Sequence, residues 1–322
     1  MSRSKKIGIL FGSENIFPSE LAKRINQKNE DGIIAEFVKI EKIFQGKPAG
    51  YDVIIDRISN AVPFYRSFLK NEGICGTAVI NNPFWLSAGE NFFNNALMST
   101  VNISVPRTVL LPSNKPPVNT DEDSFRNLSY PLNWDEIFEY IGFPALLKPV
   151  YSEVNEKILR VENRDEFFNN YHQTFQRVMM LQEEIKFNEY FRCYCIDRSH
   201  VRVIKYDPAQ LPHLKYLHHP ASIEEELLAN ITEIVLVINY LLGLDFNTVD
   251  IAVRDNIPSA LDFLNPVPET DIEMIGKNNF EWLVENAANM AIRKALEFKP
   301  ERNNLTWGKF ITQFVNNKNL II

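Results

Sequence analysis

From residue 6 to residue 81, short apolar runs alternate with segments of helical spacing, and that alternation leaves few folds open. Residues 6–11 (KIGILF) form a short apolar run closed by Gly12, the mark of a buried strand. Residues 33–40 (IIAEFVKI), 52–58 (DVIIDRI) and 77–81 (TAVIN) read as three further strands. Pro18-Ser19-Glu20 opens a helical stretch between the first two, and residues 63–71 (PFYRSFLKN) carry helical spacing that ends near Gly73. Strands alternating with helices predict a parallel sheet covered on both faces, an α/β domain.

Beyond it the pattern changes. Residues 86–101 have helical spacing and residues 105–111 read as extended, followed by a polar, proline-bearing stretch over 112–133. Asn133 can cap a helix over 134–141, with Asp135 and Glu136 suited to its N-terminus and Gly142 as its stop. Longer strands follow at 145–150, 157–161, 178–183, 191–197 and 201–206, so the C-terminal part reads as α+β. Ser222-Ile-Glu-Glu225 is a capping box ahead of an amphipathic helix with Ile223, Leu227, Ile231, Ile234, Ile238 and Leu241 on one face, and Gly243 is its stop. A last helix covers about 280–296. The expected divisions are 1–111, 112–185 with its linker at 112–133, and 186–322.

Composition narrows the function classes. The 322 residues are 45% apolar and 23% charged, an ordinary globular balance. Lys and Arg number 34 against 41 Asp and Glu, a net charge of −7, which argues against a chain built to neutralise nucleic-acid phosphates. No apolar run approaches the ~20 residues of a membrane span, and the first one is too short for a signal-peptide core. Cys75, Cys193 and Cys195 cannot all pair and match no zinc spacing, so the expected address is the cytoplasm. Cys193 and Cys195, on one strand face, read as small buried hydrophobes. His213, His218 and His219 cluster beside prolines without enough further ligands for a metal. Gly12-Ser13-Glu14 could touch a ligand through helix N-terminal amides, a weak signal without a full glycine fingerprint.

The most informative segment runs from Asp245 to Pro266. Residues 248–254 and 258–264 are alternating strands around Asp255-Asn256, a hairpin pattern. A loop centred on Asn256 sets Asp250 opposite Asp262, with Cβ atoms roughly 4.5–5.5 Å apart. Two carboxylates so placed repel unless a cation or proton lies between them, and hard oxygens suit magnesium. The plainer alternative is a solvated acid pair on an exposed sheet face. Asn265 has the opposite strand parity from Asp262, so the two share a face only if a bulge intervenes or the strand breaks before Pro266.

With this hairpin the sequence resembles the ATP-grasp superfamily, that of glutathione synthetase and D-alanine–D-alanine ligase, whose nucleotide site ends in an Asp on one strand and a Glu-x-Asn on the next. Asp250 matches the first acid, Asp262 stands where Glu is usual, and Asn265 lies one residue further along. Other landmarks occur in order. Gly142-Phe-Pro-Ala-Leu-Leu-Lys148-Pro149 resembles the strand whose lysine meets ATP phosphates, and Met180-Leu-Gln182-Glu183-Glu184-Ile185 resembles the hinge whose backbone reads adenine. Glu189 matches the acid on the ribose hydroxyls, and Ile103-Ser-Val-Pro106-Arg107-Thr108 resembles the passage leading into the domain.

The resemblance implies an N-terminal pre-ATP-grasp domain followed by a two-subdomain ATP-grasp fold. It implies ATP and Mg2+, with Asp250, Asp262 and Asn265 on the metal and Lys148, Gln182, Glu183, Glu184, Ile185, Glu189 and Lys215 on the nucleotide. Leu146, Leu147, Met180 and Leu181 are candidate walls of the adenine slot, with plain core as the alternative. Arg192 would steady an acyl-phosphate, with Arg202 on the next strand as a second cation for the substrate. The function so implied is ligation of a small-molecule or peptide carboxylate to an amine, without nucleic acid or membrane and with a homodimer as the assembly considered. A small-molecule kinase using the same fold and metal is one alternative, and two departures motivate another, a catalytically silent nucleotide- or partner-binding protein. The loop at 151–157 has no glycine, and Glu90-Asn91 stands where the family often has Asp-Lys.

Overall fold

The computed structural model describes residues 4–129, 131–151, 158–217, 223–299 and 302–306. Two compact units emerge, one of Met1–Ala88 with Asn188–Ile322 and the other of Gly89–Phe187. No helix among the described residues is long and apolar enough to cross a membrane.

The larger unit opens with β1 (Lys6–Leu10), α1 (Ile16–Lys28), β2 (Ile34–Phe37), β3 (Val53–Asp56), α2 (Pro63–Ile74), β4 (Ala78–Ile80) and α3 (Pro83–Ala88). Its strands form a parallel sheet in the order β2-β1-β3-β4, as the alternation predicts. Side chains alternate between its faces. Ile7, Ile9, Val53 and Ile55 meet Phe17, Leu21 and Ile25 of α1, while Leu10, Ile54 and Val79 meet Phe68 and Leu69 of α2.

The smaller unit contains α4 (Asn91–Thr100), β5 (Thr108–Leu111), α5 (Trp134–Ile141), β6 (Ala145–Pro149), β7 (Leu159–Val161), α6 (Arg164–His172) and β8 (Met179–Glu183). The single helix expected over 86–101 is in fact α3 and α4, with Gly89 between them. Glu90 starts the second helix by accepting the amides of Phe92 (3.0 Å) and Phe93 (2.6 Å). The strands form an antiparallel sheet in the order β5-β8-β6-β7. Thr108 at the head of β5 pairs with Gln182, so this strand belongs to the smaller unit's sheet. Phe138, Ile141 and Phe167 pack on Leu111, Leu147 and Leu181. Asn133 caps α5 through the Glu136 amide, and Gly142 ends it at φ 77°. Between 112 and 133 the described residues hold a single 3₁₀ turn, Glu122–Phe125.

The chain then returns to the larger unit with β9 (Glu189–Ile196), β10 (His200–Lys205), α7 (Glu225–Leu241), β11 (Phe246–Arg254), β12 (Ile257–Asn265), α8 (Ile272–Ile275) and α9 (Lys277–Leu296). These strands form an antiparallel sheet in the order β10-β9-β11-β12. Glu224 occupies the N-cap of α7 without a side-chain cap, and Ser222 lies outside the described residues. Val235, rather than Ile234, joins Leu227, Ile231 and Ile238 on the buried face, the stripe that 3.6-residue spacing selects. Phe280, Val284, Ala287 and Ala291 of α9 share a core with Ile7, Ile9 and Val53. Arg24 and Lys28 of α1 fasten the same helix through Glu281 and Glu285. The last helix thereby closes one face of the first sheet.

Candidate functional site

The β11–β12 hairpin turns on Asp255 and Asn256, both with positive φ (52° and 62°), and Arg254 pairs with Ile257 across the turn. This two-residue loop has the left-handed conformation that suits the twist of paired strands. The turn is therefore centred half a residue before Asn256, and a tight ladder from there would not oppose Asp250 to Asp262. Two register shifts intervene, one between Ile251 and Asp250 and one between Asp250 and Thr248. Each adds a residue on β12. The first sets Asp250 against Asp262, and the second sets Thr248 against Asn265. Because Thr248 and Asp250 lie two apart on β11, their partners share a face despite opposite parity along β12.

The same row continues through β9, where Arg192 is the register partner of Asp250. Its Nε donates to Asp250 Oδ1 and its second guanidinium nitrogen to Oδ2, both at 2.7 Å, while the Tyr190 hydroxyl donates to Oδ2 at 2.9 Å. These bonds take three of the roughly four lone-pair sites of the carboxylate. Arg192, expected to face an acyl-phosphate, is here the counter-ion of the first expected metal ligand. Its guanidinium stacks 4.1 Å above the Tyr206 ring and 6.0 Å from that of Tyr216. The Tyr216 hydroxyl lies 2.9 Å from that of Tyr194, which donates to the Glu269 carbonyl. Burial would lower the Arg192 guanidinium, but the Asp250 hydrogen bond and charge outweigh it and push it higher. Burial, then the Asp250 charge, pushes the Tyr190 phenol up, so it stays a neutral donor. Asp262 is exposed, and Asn265 donates to Thr248 Oγ1 at 3.0 Å.

The other expected residues of this unit are engaged locally. Glu189 pairs with Lys205, and Arg202 Nε donates to Asn279 at 3.0 Å. The Lys215 ammonium sits 5.9 Å from the Tyr206 ring centre. Glu14 accepts from Arg57 Nε (2.9 Å) and its second nitrogen (2.8 Å), and from Thr270, so it anchors a buried arginine beside α1.

In the smaller unit, Lys148 donates to Gln182 Oε1 at 2.7 Å, and the Gln182 amide donates to Thr108 at 2.9 Å. Glu183 accepts from the Arg107 amide and Nε, and its own amide donates to the Arg107 carbonyl. Glu184 accepts from Arg160, and Ile185 is half-buried just past β8. Alternation separates the expected adenine walls. Leu147 and Leu181 are fully buried in the core under α5 and α6, the second of the two readings open for them. Leu146 and Met180 lie on the opposite face with Lys148 and Gln182.

The tyrosines around Arg192 escaped sequence reasoning. Their signal was available, since Tyr190, Arg192 and Tyr194 recur every second residue on one strand. Cys193 and Cys195 alternate with them and are fully buried, with the Cys195 thiol pushed up to about 12 by burial. Among the described residues no group of three or more His, Cys, Asp or Glu side chains could hold a metal ion, and His218 and His219 lie outside them. The loop at 152–157 lies outside them too.

The strand orders and the paired acids define a known architecture: the chain has the ATP-grasp fold. It superposes on D-alanine–D-alanine ligase from Bacillus anthracis complexed with ATP, with a TM-score of 0.61 at 17% identity, covering 92% of this chain and 99% of that one. The ATP-grasp RimK domain protein from Sphaerobacter thermophilus gives 0.62 at 15% identity, covering 90% and 99%. The ATP-grasp ligase PsnB complexed with minimal precursor gives 0.61 at 14%, covering 89% and 98%. No family model and no curated protein matches the sequence.

Proposed function

We propose that the protein is an ATP- and Mg2+-dependent ligase that joins a carboxylate, on a small molecule or a peptide, to an amine. The observation that carries this reading is the alignment of Asp250, Asp262 and Asn265 on one sheet face by two bulges in β12. Two carboxylates and an amide oxygen are a hard donor set that fits magnesium arriving with substrate phosphates. Bound there, the ion would offset phosphate charge. Asp262 is the exposed member and would hold it directly, and Asp250 retains one lone-pair site beside its bonds to Arg192 and Tyr190.

In this reading Lys148 meets phosphate, the backbone from Glu183 to Ile185 reads adenine beside the Gln182 side chain, and Glu189 holds the ribose. Lys215 is a second phosphate cation. Arg192 and Arg202 serve the carboxylate substrate. The acid takes the terminal phosphoryl group of ATP and releases ADP, and the amine then displaces phosphate from the acyl-phosphate. No side-chain nucleophile is needed, because positioning and charge stabilisation lower the barrier. A cytoplasmic setting suits the three free thiols.

A second reading, nucleotide binding without ligation, is favoured by the Arg192–Asp250 pair, which already neutralises one of the acids. Incubation with a panel of acids and amines plus ATP–magnesium, following ADP and phosphate, separates the two. Amide formation abolished in Asp262→Ala supports the ligase. Calorimetric ADP binding with no product supports the second reading. A phosphate ester in the product mass spectrum would make the protein a kinase.

A further inference from the structure

At the ends of β9 and β11 remote from the acid row, the larger unit encloses a polar cavity of about 160 Å³. Asp245, at its wall, precedes Asp250 by five residues of extended chain, about 17 Å. Three cations line the cavity, Arg198 from the β9–β10 turn, Lys294 from the last turn of α9 and Arg302 beyond that helix, against the single carboxylate of Asp245. Asp245 Oδ2 lies 3.0 Å from the Lys294 ammonium and Oδ1 2.9 Å from Arg198. Burial alone would raise the Asp245 carboxyl, but the Lys294 and Arg198 charges outweigh it and hold it below the ordinary carboxylate value. The acid is therefore ionised, and among the described residues lining the cavity cations exceed acids by two, in a chain of net charge −7.

Two of these cations have donors left over among the described residues. The Lys294 side chain is 5% exposed, yet among the described residues its ammonium uses one of three N–H donors. The Arg302 side chain has no hydrogen-bond or ion-pair partner among the described residues. A donor as buried as the Lys294 ammonium carries a free-energy cost unless something accepts from it. The walls add the amide of Asn303 and the Trp85 ring, which packs on the Gly243 turn so closely that a Cβ there would lie 1.6 Å from it.

We propose that this cavity is a binding site for a small dianionic oxyanion of the phosphate class. At ~30 Å³ per water the space holds roughly five waters, enough for a tetrahedral ion and too little for a nucleotide. Two charges of opposite sign match the surplus, and tetrahedral oxygens accept from the ammonium and from guanidinium forks. The oxyanion is either free orthophosphate or the phosphate group of a monoester whose remainder projects outward. The site is independent of the nucleotide reading, because it shares no residue with it.

Calorimetric titration of the full chain with orthophosphate, without nucleotide and at ionic strength matched with sodium chloride, tests the proposal. Saturable binding is expected, with affinity at least about tenfold weaker in Arg302→Ala. That side chain is partly exposed and bonded to nothing described, so its loss leaves the fold intact. A phosphate response that survives in Arg302→Ala but vanishes in Lys148→Ala would place the ion at the proposed nucleotide site instead and overturn the proposal. Tighter binding of glycerol phosphate than of orthophosphate would assign a monoester, and equal or weaker binding the free ion. No binding of either, or wild-type affinity in Arg302→Ala, would overturn the proposal.

Discussion

Arg192 and Asp250 face each other across β9 and β11 and close two 2.7 Å hydrogen bonds, with the arginine lying on the ring of Tyr206. Both side chains are largely buried, at 20% and 8% exposed. Removing one partner strands the other charge. Arg192→Met should cost about 3–5 kcal/mol of stability, the range for breaking a buried pair. The Arg192→Met/Asp250→Asn double variant should recover much of that loss. Urea unfolding of wild type, Arg192→Met, Asp250→Asn and the double variant completes the cycle, and purely additive losses would show that the two residues do not depend on each other.

Asp262 gives the opposite expectation. Its side chain is exposed, so Asp262→Ala should leave unfolding within about 0.5 kcal/mol of wild type. The same change should weaken ADP affinity in the presence of magnesium at least about tenfold, since losing even an outer-sphere partner of a metal costs that much. Affinity measured without magnesium should not respond. An equal loss with and without the ion would remove Asp262 from the metal site.

The cysteines predict a reactivity order. Burial pushes the Cys193 thiol well up and that of Cys195 to about 12, and both side chains are enclosed, whereas Cys75 is only half-buried. Thiolates, not thiols, react with disulfide reagents. Native protein at pH 8 should therefore label slowly at Cys75 alone, and all three sites should label at once in denaturant. Mass-mapped labelling of Cys193 in native protein would contradict the packing described for β9.

Asp245 supplies a pH dependence. Its folded value lies below the ordinary 3.8, so the stabilisation from Lys294 and Arg198 is complete above that value and disappears as pH falls through the folded one. Asp245→Asn should lose about 3–5 kcal/mol at pH 7, because it leaves a buried ammonium unpaired. Paired urea titrations at pH 7 and pH 3 check the sign, since the gap to wild type should narrow at the lower pH.

Strand and helix periodicity made the parallel sheet, the amphipathic α7 and the acid-bearing hairpin legible in advance. Local pattern was enough because each of those elements buries one face against a near neighbour. The contacts that escaped join segments far apart in the chain. Packing of α9 on α1 and pairing of β5 with β8 depend on complementary surfaces that no single segment encodes. At the candidate site, residue types pointed to Asp250 and Asp262, but not to the partner of the first. Arg192 reads from sequence as a substrate cation or a surface ion pair, because its distance to Asp250 is set by the alignment of β9 with β11. Walls and core stayed equally open for Leu147 and Leu181 for a related reason. Which face of a strand lies under helices is decided by the tertiary layers, while period two reveals only that faces alternate.

The uneven ladder of β12 makes chain length itself a functional variable. With one residue fewer between Asp262 and Asn265, the amide would swing to the reverse side of the sheet although every chemical group survived. Beyond it, Pro268 and Thr270 would also be drawn out of reach of Arg57, which bonds both. A single deletion there should thus do more harm than most replacements, a sensitivity that profiles of substitutions alone would never record.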